Sequence, residues 1–378
     1  MTVNPRRVLL LEPDAGLRTA ATAAGCDTWS VECPATAAPD TDRRLSVDLD
    51  DVDALHSALV GTARTHEIPH IVYLGDSEVL HLAVERALRE LSPARAEPLR
   101  RLRDPAVMRR ILNQSGVSVV RAESAATVEG VRALVEDFPL PVAVKAGPVP
   151  RTTVIRNRDD LEKWVADAPA GPHLVEEFLS GPRVSVDTLT REGMHEVTGM
   201  TTGTYAGADL LHPAVLSEAA TAGIRTAVRA LLDLAGLQSG PAHTQVVVTA
   251  GGPRIAASKA RLGPGPIRRL LRASTGRVLE EDVLSALCGS PRRHPAPGRS
   301  AALARLPLGH RGTDLAAALD VIGAMDHVDG VRPAEADADG PGHVEVVVHG
   351  GSRQEVGERL AAVRQKWDAL RETAPTQG

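Results

Sequence analysis

The first hundred residues alternate short apolar runs with amphipathic stretches, the pattern that builds a parallel α/β sheet. Residues 8–11 (VLLL) read as a buried strand, 15–24 as a helix stopped by Gly25, and 28–31 as a second strand. Within 51–65, Val52, Leu55, Leu59 and Ala63 share one helical face, behind an Asp-rich start that suits the positive end of a helix. Residues 68–74 then read as strand and 78–91 as an amphipathic helix. This Rossmann-like unit lacks G-x-G-x-x-G, so no dinucleotide site is expected.

The remainder of the 378 residues leaves room for two or three domains in all. Residues 92–104, rich in Pro and Arg, read as a linker; a helix follows at 105–115, stopped by Gly116, and a strand at 117–121. Further helices are expected at 128–138, 159–167, 218–235 and 264–275, and strands at 141–145, 153–157, 173–177, 183–190 and 194–202. Residues 242–249 and 254–258 form an antiparallel pair across the turn Ala250-Gly251-Gly252-Pro253. The Pro- and Arg-rich stretch 289–300 reads as an exposed loop. A short α/β segment, an unstructured patch at 333–342, a strand at 344–349 and a terminal helix at 354–371 complete the chain, with no internal repeat.

Composition narrows the function. A chain 43% hydrophobic and 24% charged is globular. With a net charge of −5 and seven aromatics (three Trp, two Tyr, two Phe), it lacks both the basic field and the stacking platforms that nucleic acid requires. Cys26, Cys33 and Cys288 form no C-x-x-C pair, and their odd number suggests neither a disulfide framework nor a thiolate zinc site. No uncharged apolar run reaches membrane-spanning length, so a cytoplasmic protein without membrane contact is expected. Only four residues are lysines: Lys145, Lys163, Lys259 and Lys366.

From residue 104 onward a set of motifs recurs in a telling order. Asp104-Pro105-Ala106-Val107-Met108-Arg109 and Gly116-Val117 precede Pro141-Val142-Ala143-Val144-Lys145; Val175-Glu176-Glu177-Phe178-Leu179-Ser180-Gly181, His243-Thr244-Gln245 and Gly252-Pro253-Arg254-Ile255 follow. This order resembles the ATP-grasp superfamily, and within it carboxylate–amine ligases of the L-amino-acid ligase type, over about residues 1–350. The resemblance implies an α/β and α+β chain: an ATP-grasp fold behind an N-terminal Rossmann-like (pre-ATP-grasp) domain. The units expected are 1–98 (Rossmann-like), 99–180 (small subdomain), 181–290 (large subdomain) and 301–370 (an α/β segment packed on the large one).

The resemblance also implies roles. Lys145 matches the lysine that neutralises nucleotide phosphates, or is an exposed strand-end charge. Glu176, Glu177, Phe178 and Leu179 match the hinge whose backbone meets adenine, or are an ordinary strand-to-loop transition. Arg261 matches the arginine that stabilises the transferring phosphoryl group, or is a surface arginine beside a helix start. ATP is the cofactor so implied.

Several positions depart from the family pattern. Pro105 stands where relatives carry lysine, two prolines interrupt the lid 146–151, and Arg183 replaces a ribose-binding glutamate. At the three positions that hold Mg²⁺ in relatives, this chain has Gln245, Ala257 and Lys259. An amide, a methyl and an ammonium do not hold a hard dication, so no metal ligand is assigned and Mg²⁺ is not expected there. Lys259, with Lys145, Arg261 and His243 nearby, either acts as a tethered cation that holds a phosphate or carboxylate, or pairs with a local carboxylate.

Three functions follow as expectations. One is a binding or accessory protein in biosynthesis that has lost Mg²⁺-ATP catalysis. Another is an active ATP-dependent ligase with a rearranged metal site, forming an amide through an acyl phosphate. The last is a pure interaction subunit. The partners to expect are a small anion or carboxylate, a partner enzyme and a second copy of the chain.

Overall fold

The computed structural model describes residues 6–34, 43–147, 151–203, 209–289, 298–308, 315–334 and 342–372. The first unit comprises β1 (Arg7–Leu11), α1 (Ala15–Ala23), β2 (Asp27–Glu32), β3 (Arg44–Ser46), α2 (Val52–Thr65), β4 (His70–Val72) and α3 (Glu78–Leu91). Its sheet is parallel throughout, in the order β3-β2-β1-β4. Alternate residues of β1 serve two cores, as the two-residue period of a strand requires. Leu9 and Leu11 pack with Leu55 and Leu59 of α2 and Val84 of α3. Val8 and Leu10 join Leu17 of α1 and the distant Leu270, Val283 and Leu303. The unit therefore shares a core with the end of the chain.

Helix α4 (Pro93–Arg103) replaces the linker expected at 92–104 and runs across the expected boundary at 98/99. Proline is tolerated in its first turn, Glu97 pairs with Arg100 and Arg101, and Ala96, Pro98 and Leu102 are buried. The second unit comprises α5 (Pro105–Ser115), β5 (Ala122–Ala125), α6 (Val128–Asp137), β6 (Val142–Ala146), β7 (Arg151–Ile155), α7 (Arg158–Ala166) and β8 (His173–Glu177). Its antiparallel sheet runs β5-β8-β6-β7. Asp104 caps α5 by accepting from Ala106 N and Val107 N, so Pro105 serves as the first helical residue. The strand expected at 117–121 begins only at Ala122. The amide of Asn113 bonds both backbone groups of Val120, at 2.8 and 3.0 Å, and holds that stretch as a connector.

The third unit comprises β9 (Arg183–Arg191), β10 (Met194–Thr202), β11 (Leu210–His212), α8 (Glu218–Ala235), β12 (Gly240–Thr249), β13 (Gly252–Lys259), α9 (Gly265–Thr275), α10 (Leu279–Leu287), β14 (Ser300–Pro307), α11 (Leu315–Gly323), β15 (Val328–Ala334), β16 (His343–Gly350) and α12 (Arg353–Glu372). Its eight strands form one antiparallel sheet in the order β13-β12-β9-β10-β11-β14-β16-β15. The C-terminal strands thus extend the large sheet through the pairing of β11 with β14. Most of the Arg-rich loop, most of the patch at 333–342, and residues 148–150 of the lid lie outside the described residues. No described helix is long and apolar enough to cross a membrane.

Candidate functional site

All three units meet at β13. Its pairing with β12 sets Lys259 opposite His243, Ser258 opposite Thr244 and Ala257 opposite Gln245, with an irregularity just beyond Gln245. Gln245 is exposed and Ala257 half-buried. Positions 245, 257 and 259 therefore share one hairpin, and Lys145 reaches the same hairpin from β6 by donating to the Ala256 carbonyl at 2.6 Å.

Lys145 also pairs with the carboxylate of Glu176, whose other oxygen accepts from Arg109 Nε at 2.6 Å. Arg109, on α5, donates further to the Ser118 carbonyl at 3.0 Å and the Ile255 carbonyl at 2.6 Å. Ser118 Oγ in turn accepts from Ile255 N at 2.8 Å. The three charged side chains are only 2–7% exposed, so two cations share one anion in a nearly dry setting. Burial pushes the Lys145 ammonium below its ordinary range, against the pull of Glu176. Every polar atom in this group is directed at the protein itself.

A second cluster lies about 10 Å farther along β13, three residues at the usual strand rise. Lys259 Nζ lies 2.5 Å and Arg261 Nη2 2.9 Å from Glu78 Oε1, at the start of α3. Burial alone would raise the Glu78 carboxyl, but the two cations hold it below its usual value. Burial lowers the Lys259 ammonium, and it depresses the imidazole of His81, one turn along α3, to about 4. Arg261 Nε is buried and meets no acceptor among the described residues. Beside this cluster opens a cavity of about 420 Å³ beneath α3 and α4, walled largely by apolar groups such as Val84, Leu88, Leu99, Leu237 and Val283.

The His243 side chain, opposite Lys259, bonds to neither cluster. Its Nδ1 bonds Asp187 Oδ1 at 2.9 Å, and both residues are buried. Gly263 packs so closely that a Cβ there would lie 2.6 Å from Asp187 Oδ1. In the hinge, Glu177 accepts from Arg121 N at 2.9 Å, and Phe178 and Leu179 are half-buried. Gly181, at φ +145°, lets the hinge cross β12; a Cβ would come within 2.1 Å of the Val248 carbonyl. Arg183 is exposed at the start of β9. Sequence reasoning missed Glu78, Arg109 and Ser118 as members of the site. The amphipathic run at 78–91 located Glu78 on a helix, but nothing local connects it with Lys259, 181 residues later.

No protein-family profile matches the chain, and no curated protein resembles it in sequence. Solved structures do match. An L-amino acid ligase from Bacillus licheniformis superposes with a TM-score of 0.75 at 20% identity, covering 98% of both chains. An N5-carboxyaminoimidazole ribonucleotide synthetase in complex with ADP gives 0.74 at 14% identity over 99% of both. The chain has the ATP-grasp fold. Among ATP-grasp structures a biotin carboxylase from Campylobacter jejuni also matches, with a TM-score of 0.68 at 13% identity, covering 97% of this chain and 94% of the other. The ATP-grasp fold expected from the motif order is thus present over nearly the whole chain, and it is the fold of ATP-dependent carboxylate–amine ligases.

The donor set of this ATP-grasp chain does not fit the metal that the fold implies. Gln245, Ala257 and Lys259 supply no carboxylate, and the nearby Glu78 already carries two cations. Among the described residues no group of three or more His, Cys, Asp or Glu side chains could hold a metal ion.

Proposed function

We propose that this chain uses the ligase fold to bind a small carboxylate at Lys259 and Arg261, without Mg²⁺-ATP catalysis, as a binding or accessory protein. The observation that carries this reading is the Glu78–Lys259–Arg261 cluster at the rim of the cavity. Its two cations already hold one carboxylate, that of Glu78, so a ligand carboxylate would replace like with like. Arg261 Nε, which meets no acceptor among the described residues, would gain one, completing the forked geometry that guanidinium and carboxylate prefer. The mainly apolar walls suit the body of a small amphipathic acid. Lys145 supports the same reading, because its ammonium is committed to Glu176 and the Ala256 carbonyl instead of facing a phosphate.

The rival reading is an active ligase with a rearranged metal site. Glu78 favours it to one extent: it brings to the cleft a carboxylate that the strand positions lack. Titration with isovalerate, followed by calorimetry, tests the proposal. Isovalerate should bind, and Lys259→Ala should weaken it at least about tenfold, the cost of one charge-assisted hydrogen bond. Release of ADP and phosphate from Mg²⁺-ATP that depends on an added carboxylate and amine would establish the rival instead.

A further inference from the structure

We propose that Cys26 and Cys288 form a redox site that a hydroperoxide converts to a disulfide, bonding the N-terminal unit to the large sheet's helical layer. Although 262 residues separate them, their Sγ atoms lie 2.9 Å apart. The bonded distance is about 2.05 Å, so closing the pair requires a shift of less than about 1 Å. Both backbones are tied down. Cys26 N donates to the Ala21 carbonyl at 3.0 Å, and Cys288 N, at the end of α10, donates to the Leu284 carbonyl at 2.9 Å. Cys288 belongs to the core shared by β1, α1 and α10, and Cys26 packs against that core. The approach is therefore a property of packed helix ends.

The pair is chemically asymmetric as well as close. A hydrogen bond from Cys26, aided by the guanidinium of Arg6, draws the Cys288 thiol below its ordinary range, whereas its neighbour and burial push Cys26 up. Thiolate character thus favours Cys288. Its sulfur attacks hydrogen peroxide: an S–O bond forms, the O–O bond breaks, and the departing hydroxide leaves as water, giving a sulfenic acid. The Cys26 thiol then gives up its proton and attacks that sulfur; the S–S bond forms, the S–O bond breaks, and a second water leaves. Two thiols and one peroxide become one disulfide and two waters. The bond would fix the cavity's two sides relative to each other, since α10 supplies Val283 and the N-terminal unit supplies Glu78.

The test uses the full chain, treated with hydrogen peroxide, then denatured, alkylated and mapped by peptide mass. Of the three cysteines, Cys26 and Cys288 should escape alkylation in one linked peptide pair, while Cys33 is still alkylated. Reduction should reverse this. The oxidised chain should melt about 5 °C higher than the reduced one. Cys26→Ser and Cys288→Ser should each abolish the link, and neither variant should change its melting temperature on peroxide treatment. Alkylation of all three thiols, a bridge that includes Cys33, or accumulation of sulfinate at Cys288 without a bridge would each overturn the proposal.

Discussion

Two clusters on β13 share one design, a pair of cations on a single glutamate, and they differ in access to water. Glu176, Lys145 and Arg109 are 3, 7 and 2% exposed, and the two cations donate to backbone carbonyls of β13. Glu78, Lys259 and Arg261 are 20, 25 and 12% exposed and border the cavity. Removing the carboxylate from the first cluster would leave two charges in a low dielectric with no solvent to replace it. Removing it from the second opens a seat that a dissolved anion can take. Under the proposed function, the same chemistry makes a structural tie in one place and an exchangeable site in the other.

Glu176→Gln should separate the two clusters most strongly. It should cost about 4 kcal/mol, the usual penalty for breaking a buried ion pair, with a matching loss in the urea midpoint. A cost under about 1 kcal/mol would show that the inner cluster is no tie. Acid probes the outer region next. His81 is neutral in the fold until about pH 4, whereas the unfolded chain protonates near 6.5. Its stabilising contribution is intact above pH 7 and shrinks as the pH falls, losing about 3 kcal/mol by pH 4. Unfolding of His81→Gln across that range should show a shallower pH slope than wild type.

Smaller effects sharpen the contrast. Glu78→Gln should raise affinity for isovalerate about tenfold, since the internal competitor loses its charge. The same change should lower stability by only about 1 kcal/mol, because the pairing is partly screened by solvent. An equal loss in Glu78→Gln and Glu176→Gln would erase the distinction between the clusters.

The sequence made one half of this arrangement legible. Lys145 could be placed by the order of motifs from Asp104 to Arg254, and Lys259 as one of the family's three metal positions, which the pairing of β12 and β13 brings onto one hairpin. The partners were not legible. Glu78 reads as an ordinary acid in a first helical turn, and Arg109 as one more arginine among many. Both find their partners through tertiary folding, across 181 and 67 residues, which no local period encodes. Helix α4 was hidden for another reason: its Pro and Arg content mimics a linker, while its Glu97 pairs and its packing against the third unit make it helical. Cys26 and Cys288 likewise meet only in three dimensions, though an odd cysteine count suggested no pairing.

Under the proposed function, tethered cations and their internal carboxylates take the place of a magnesium–nucleotide site. Calorimetric titration of ATP into the full chain, with and without magnesium, tests it most directly. Magnesium should leave any ATP binding unchanged. Micromolar affinity that appears only when magnesium is added would contradict it.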